Sequence, residues 1–472
     1  MTFMFGCPLL PFLAICSIAA GSPPAVEFYA APKPLPAGAV IEDWPAFLGP
    51  RRDGVSRETK LLKQWPEGGP RLVWALERGS GYSSPSVVGQ NLVYMHRMGA
   101  REIVVCLHCE TGRQRWQFEY PTTYEDRYGF GNGPRATPVI DDGHVYTIGA
   151  EGQLHCLDLE TGALIWNRDL AKDLKLRKGF FGFTSTPLVE GGRIVMNVGA
   201  PGGPCVVALD KSTGKRLWNA GNQWGASYAS PVGAKIHGKR RVFVFAGGES
   251  RPPHGGLLCI NPIDGHIDFR FAWRSRSFES VNAVCPVVIG NRIFISASYK
   301  TGGAMLNVRS DFTHEVAWTT SKFGCHFSNI IARDGYLYGF DGRHRAESSL
   351  VCYEDETGQE QWRFSPQWKE KIDRNGQISE TPFGIGRGSL LLVDNHFLCL
   401  GEMGHLLWLD LSPDRPKILA RAWLFATPET WTPPIINRGL LYIAQNHRDM
   451  ISGTPPRLLC YDLRAWAKTS SQ

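Results

Sequence analysis

Apolar residues along this chain come in short runs that alternate with polar ones at every second position, and Gly or Pro breaks each run before a helical pattern builds up. A period of two is that of a half-buried β-strand. The clearest unit runs from Ala208 through Asp210, Thr213 and Gly214 to Trp218. An apolar strand ends on an acidic residue, Thr-Gly makes a tight turn with Gly free to take positive φ, and the next strand delivers a large aromatic. The same spacing returns at Cys106, His108, Thr111, Gly112 and Trp116, at Cys156, Asp158, Thr161, Gly162 and Trp166, and at Cys352, Glu354, Thr357, Gly358 and Trp362. A degenerate copy has Cys259, Asn261, Asp264 and Gly265, with Phe269 in the aromatic column.

Each hairpin follows a second element: a small or hydroxyl residue, Pro, a β-branched run, a Gly turn and another apolar strand, as in Thr137-Pro138-Val139-Ile140 before Gly143. That column reads Pro85, Pro138, Pro187, Pro231, Pro286, Asn329, Pro382 and Pro433, with members about 50 residues apart. Four strands in such a unit make a propeller blade. The pattern predicts an all-β fold: an eight-bladed β-propeller of four-stranded antiparallel blades, one domain over residues 44–466. The last unit stops one strand short after Leu458–Asp462. Leu72–Leu76, with its own Trp74, is expected to complete it and remove the open sheet edges.

Composition agrees with this reading. The 52 Gly and 32 Pro leave little room for long helices, and the 15 Trp match the repeat. Short helices are expected only at 169–179, with Asp169 as N-cap, and at 365–375, with Pro366 in the first turn. The net charge of +7 is spread without a run of five like charges, which argues against a nucleic-acid partner. From Phe3 to Ala20 there is no charge, and small residues follow, so residues 1–21 read as a signal peptide or membrane anchor and 22–43 as a flexible linker. Leu13-Ala14-Ile15-Cys16 makes a poor lipoprotein box, with Ile where a small residue is expected. No later stretch has 18 consecutive apolar residues, so membrane contact is expected only through the N-terminal segment, in an extracytoplasmic (periplasmic or secreted) protein.

The cysteines fall into the repeat. Cys106, Cys156, Cys259, Cys352 and Cys460 share one column, and equivalent positions in different blades lie too far apart for a disulfide. They are expected to be buried small side chains between blades. Cys106-x-x-Cys109 has redox-motif spacing, but both would lie on one strand end. No metal-ligating set is expected, because a ring column spreads its thiols apart.

The repeat resembles the tryptophan-docking motif of the pyrroloquinoline-quinone (PQQ) dehydrogenases and their non-catalytic relatives, among them the BamB-type outer-membrane assembly lipoproteins. The opening Trp44-Pro45-Ala46-Phe47-Leu48-Gly49-Pro50-Arg51-Arg52-Asp53-Gly54 is similar to the lead-in of secreted planctomycete PQQ-binding-like β-propeller repeat proteins. For catalytic members the resemblance implies a quinone over Ca²⁺ with carboxylate and amide ligands, an Asp base, and often a cap of two adjacent disulfide-bonded cysteines. This sequence has no Cys-Cys pair and no Cys-x-x-Cys-His haem motif. The expected function is therefore a non-enzymatic binding or scaffold protein with a protein or glycan partner on a propeller face. The alternative is a PQQ-dependent dehydrogenase, or another enzyme, working at the central channel.

The residues just before the Pro column point toward the propeller axis and would converge at one channel mouth. Three before it stand Tyr82, Arg135, Thr184, Tyr228, Ala283, His326, Ser379 and Thr430, with Asn282, Glu380 and Trp431 beside them. A purely structural column would repeat one residue type; this one is mixed. The expected ligand site is Tyr82, Arg135, Tyr228, Asn282, His326, Glu380 and Trp431. There Arg135 would neutralise an anion, His326 and Glu380 would exchange protons, and the aromatics would stack a planar ring. The loop from Tyr120 to Gly133 feeds the same mouth; Lys175, Arg177, Lys178, Lys369 and Lys371 would either make its rim mildly basic or, as is more usual for such residues, form a solvated helix face.

Overall fold

The computed structural model describes residues 25–465, apart from 67, 177, 178, 201 and 375. The expected signal or anchor segment, with Cys7 and Cys16, lies outside the described residues. Eight sheets of four antiparallel strands each follow one another along the chain as blades 1 to 8, and no described helix is long and apolar enough to cross a membrane. Blade 8 is closed as the pattern predicts. Its own strands Ile435–Asn437, Leu440–Ala444 and Arg457–Asp462 are joined by Arg71–Glu77, with Trp74 opposite Cys460. Val26–Phe28, within the stretch read as linker, adds a further strand outside the closing one.

The repeat carries the seam between blades. Each indole donates to a carbonyl in a turn of the next blade, and all but Trp362 lie under that turn's glycine: Trp74 to Cys109, Trp116 to Leu159, Trp166 to Lys211, Trp218 to Pro262 and Trp362 to Ser412, at 2.8–3.2 Å. The glycine is required twice over. Gly162 has φ +73°, and a Cβ there would stand 2.6 Å from the Trp116 ring. Trp318 is a further member; it occupies the aromatic column of blade 5 and donates to Asp355 at 3.0 Å. Blade 7 exchanges the two columns. Trp408 stands where other blades place Cys, opposite Ala420, and its indole donates to Leu62 at 3.0 Å. All ten described cysteines are unpaired and buried. Burial pushes the Cys106 thiol up to about 12 and also raises Cys109, so the pair carries no reactive thiolate.

Two local expectations are corrected. The helix at 169–179 shrinks to Leu170–Leu174; Asp169 caps it by accepting from the Lys172 amide at 3.0 Å, and Lys175 ends it in the left-handed conformation at φ 52°. The second expected helix is instead a hairpin of Gln367–Arg374 and Gln377–Gly384. Trp368, Glu370 and Ile372 are partly or fully buried while Lys369, Lys371 and Asp373 are exposed, a period of two that outweighs the helix-start signal of Pro366.

That hairpin also shifts the inner-strand register. Strand pairing confirms Pro85, Pro138, Pro187, Pro231 and Pro286, but puts Ile330, Leu390 and Pro434 where the sequence reading had Asn329, Pro382 and Pro433. Asn329 instead joins blades 6 and 7, donating to the Leu390 carbonyl at 2.7 Å and accepting from its amide at 3.1 Å.

The lead-in segment threads the ring. Trp44 pairs with Val87 of blade 1, the Pro45 carbonyl accepts from Ile140 of blade 2, and Val55–Ser56 run parallel to the inner strand of blade 7. Between them Arg52 is buried and donates to the carbonyls of Thr186, Pro187 and Pro231, which tie it to blades 3 and 4. Burial lowers its pKa to about 10, still far above neutral, so the guanidinium is charged and held by backbone dipoles.

Candidate functional site

With the register corrected, the residues three before the inner column are Tyr82, Arg135, Thr184, Tyr228, Ala283, Phe327, Arg387 and Trp431. All eight line one cavity of about 240 Å³ at the channel mouth. Phe47 of the lead-in also lines it, as do Phe130 and Phe181 from the loops that feed the mouth. The result is an aromatic cup. Tyr82 stacks on Trp431 with centroids 5.5 Å apart, and Phe130 and Phe327 lie 5.6 and 5.0 Å from the same indole. Phe181 reaches Tyr228 at 5.5 Å and Phe130 at 5.9 Å.

The charged groups of the cup are engaged. Arg135 pairs with Asp126 at 2.8 Å, that carboxylate being fully buried, and its guanidinium lies over the rings of Tyr82 and Phe181. Asp126 is held in turn by the amides of Tyr128 and Phe130. Arg387 pairs with buried Glu402 and stacks on Phe327 and Trp431, whose indole donates to Glu402 at 3.1 Å. The Tyr82 hydroxyl donates to Glu429 at 2.9 Å, and His447 lies 3.1 Å from the same carboxylate oxygen. Burial works against the ionised Glu429, yet hydrogen bonds from His447 and Tyr82 hold its carboxyl below the usual range. Burial, reinforced by Arg387 and Arg343, lowers His326 to about 3, so it is neutral at pH 7.

Five of the seven expected site residues line this cup: Tyr82, Arg135, Tyr228, His326 and Trp431. Two stand elsewhere. Asn282 is buried under the mouth, where its amide donates to the carbonyls of Ala246 and Trp273 and braces blade 4. Glu380 sits on the inserted hairpin, exposed and paired with Lys369 at 3.1 Å, because Pro382 does not begin an inner strand. The sequence reading missed Phe327, Arg387, Phe47 and Phe181. The signal for Arg387 was present: Leu390-Leu391-Leu392-Val393 followed by Asp394-Asn395 is an inner strand and its turn, displaced by the inserted hairpin.

The quinone and Ca²⁺ that the resemblance implies for catalytic members can be tested against these side chains. Ca²⁺ takes six to eight oxygen ligands, mostly carboxylates and amide carbonyls. Among the described residues no Asp, Glu, Asn or Gln lines the cup, and the carboxylates behind it already face Arg135, Arg387 and His447. The residues present do not fit that ion, and no step is derived through it.

A family model described as outer membrane protein assembly factor BamB matches residues 100–364, more than half of the 472-residue chain. Among curated relatives, the outer membrane protein assembly factor BamB of Moranella endobia (strain PCIT) is 28% identical over 167 residues, 35% of this chain and 36% of that protein. The Yersinia pestis protein of the same name is 23% identical over 167 residues, 34% of each chain. The match thus spans about a third of the length of these relatives. Among solved structures, BamB from Moraxella catarrhalis superposes with a TM-score of 0.53 at 15% identity, covering 84% of this chain and 98% of that one. Quinohemoprotein alcohol dehydrogenase from Comamonas testosteroni gives 0.60 at 13% identity, covering 92% and 83%. At such identities the likeness is one of fold, shared by an assembly factor and a dehydrogenase alike. The eight blades, the docked tryptophans and the family match lead to one conclusion: this chain is a PQQ-like β-propeller belonging to the BamB family.

Proposed function

We propose that the protein is a non-enzymatic binding or scaffold propeller, working outside the cytoplasm, that holds a partner protein over the aromatic mouth of its ring. The observation that carries this reading is the engagement of the mouth's ionic groups. Arg135 is held by Asp126, Arg387 by Glu402 and Tyr82 by Glu429, and His326 is neutral, so what faces the cavity is mainly aromatic surface. Aromatic side chains with Arg stacked on them are what protein interfaces concentrate at their energetic centres. The cup accommodates an apolar side chain of the partner, and the Arg-bearing rim surrounds it. The name of the curated relatives, assembly factor, fits a scaffold role, and the uncharged stretch Phe3–Ala20 supports an extracytoplasmic setting.

The test is site-directed photo-crosslinking in cell-envelope extract, with a photoreactive residue in place of exposed Tyr128 at the mouth. The expected result is one dominant protein adduct that disappears in Trp431→Ala and persists in Lys369→Ala on the hairpin. Adducts indifferent to Trp431→Ala would remove the cup from the interaction. A parallel incubation with PQQ and Ca²⁺, followed by gel filtration, is expected to leave no quinone absorbance on the protein; stoichiometric retention would overturn the non-enzymatic reading.

A further inference from the structure

Beside the aromatic cup, and sharing Thr184 and Tyr228 with it, a larger cavity of about 610 Å³ opens between blades 3 and 4. The partner-docking reading makes no use of it. We propose that this cleft binds a short oligosaccharide, which gives the glycan half of the partner expectation a definite place.

Three features of its walls point to that chemistry. The first is unpaired neutral polarity. The side-chain amides of Asn222 and Gln223 stand exposed at the rim without a partner among the described residues. Deeper in, Thr184 Oγ1 and Glu249 Oε1 have almost no accessible surface and no hydrogen-bond partner among the described residues. Buried polar atoms of a folded chain are nearly always satisfied, so two orphans on one cavity call for a ligand that supplies donors. Sugar hydroxyls both donate and accept, which matches amides, a threonine hydroxyl and a carboxylate oxygen at once. The other Glu249 oxygen is taken by Arg127 at 3.0 Å, so the carboxylate is held in place at the cleft wall.

The second feature is aromatic surface at two sides. Trp224 packs half-buried on the core of blades 3 and 4 and lines the cavity, as does Phe278 opposite, against which Arg251 stacks at 4.3 Å. A pyranose presents a C–H face that packs on such rings. The third is the bare main chain. Six of the lining positions are glycine; Gly182, Gly199 and Gly248 are fixed by close packing on neighbouring backbone, while at Gly202, with φ +74°, a Cβ would meet nothing within 4 Å, so no side chain screens the main chain there. An apolar ligand would leave all these polar groups unpaired. The volume suits about two sugar rings.

The experiment is calorimetric titration of the full chain with maltose, cellobiose and N,N′-diacetylchitobiose. At least one is expected to bind with a dissociation constant of about 1 mM or tighter, and the double variant Asn222→Ala/Gln223→Ala is expected to weaken it about tenfold or more. Both positions are exposed, so that variant keeps the fold whatever Trp224→Ala does. Trp431→Ala in the cup is expected to leave sugar binding unchanged, which separates failure here from failure of the partner-docking reading. Absence of binding by all three sugars at about 10 mM, or binding indifferent to the double variant, overturns the proposal.

Discussion

In the seam between blades, the indoles of Trp74, Trp116, Trp166, Trp218, Trp318 and Trp362 each lie under a turn of the next blade and donate to its backbone. At the channel mouth, Tyr82, Tyr228, Phe327 and Trp431 also come from fixed strand positions of different blades, yet they meet one another around open space. The two columns use the same kind of side chain for opposite ends. Every seam ring but Trp362 is covered on one face by a turn glycine that can be nothing else, so it transmits closure around the propeller. A mouth ring is fixed by ion pairs behind it and keeps a face free. Aromatic residues at repeat positions are therefore not functional by type; what distinguishes them is whether the neighbouring blade covers them.

The sharpest break of this comparison is Trp116→Ala. It removes a mostly buried indole, its hydrogen bond to Leu159 and the contact under Gly162, and is expected to cost about 4 kcal/mol in denaturant unfolding. A loss under about 1 kcal/mol would mean that the seam does not carry closure. A controlled pair sharpens it further. Gly143 and Gly162 both have φ +73°, but a Cβ meets nothing within 4 Å at Gly143 and the Trp116 ring at Gly162. Gly143→Ala is expected to cost about 1 kcal/mol from the left-handed backbone alone, and Gly162→Ala about 3 kcal/mol. Equal costs would show that the ring moves aside freely.

The seam column was legible because it repeats: Thr-Gly and Trp at constant spacing announce the hairpin wherever the turn keeps its length. Trp318 escaped because Asp311-Phe312-Thr313 lengthens that turn; Trp408 stands in the cysteine column, as its spacing indicates, because blade 7 exchanges its columns. The rule for the mouth, three residues before the inner column, is also right for all eight blades. Applied to the Pro column as read from sequence, it named six cup residues, with Trp431 beside it, and misplaced Glu380 because Pro382 was read as the start of an inner strand, when an inserted hairpin moves that start to Leu390. Phe47 and Phe181 obey no repeat at all. They reach the cup through a threaded segment and a loop, so only the tertiary structure reveals them.

Acid should act on both regions through buried imidazoles. Burial lowers His96 and His405, away from the cup, and His326 at the mouth, each to about 3. An unfolded histidine titrates near about 6.5, so between about pH 6.5 and 3 the unfolded chain binds more protons and stability falls as pH falls. Chemical denaturation is expected to give a flat stability above about pH 7 and a steady decline below about pH 6.5. His326→Gln should make that decline shallower while leaving part of it, since His96 and His405 persist. A decline that His326→Gln does not alter would mean that the mouth histidine is solvated and charged in the folded state.

The smallest effect is expected from Tyr82→Phe, and it is the most discriminating for the mouth. The hydroxyl donates to Glu429 at 2.9 Å and lies 2.9 Å from His447 Nε2, but Glu429 and His447 keep each other at 3.1 Å without it. Both partners are about a third or less exposed, so water reaches the vacated position and no buried charge is stranded. The ring itself keeps its stack on Trp431 and its place under Arg135. The expected loss is thus one satisfied hydrogen bond, about 1 kcal/mol or less. Partner adducts at the mouth should survive it, since the apolar face of the cup is unchanged, whereas Trp431→Ala removes that face. If Tyr82→Phe instead destabilises the fold by as much as Gly162→Ala, the mouth rings serve closure in the same way as the seam rings, and the division between the two columns fails.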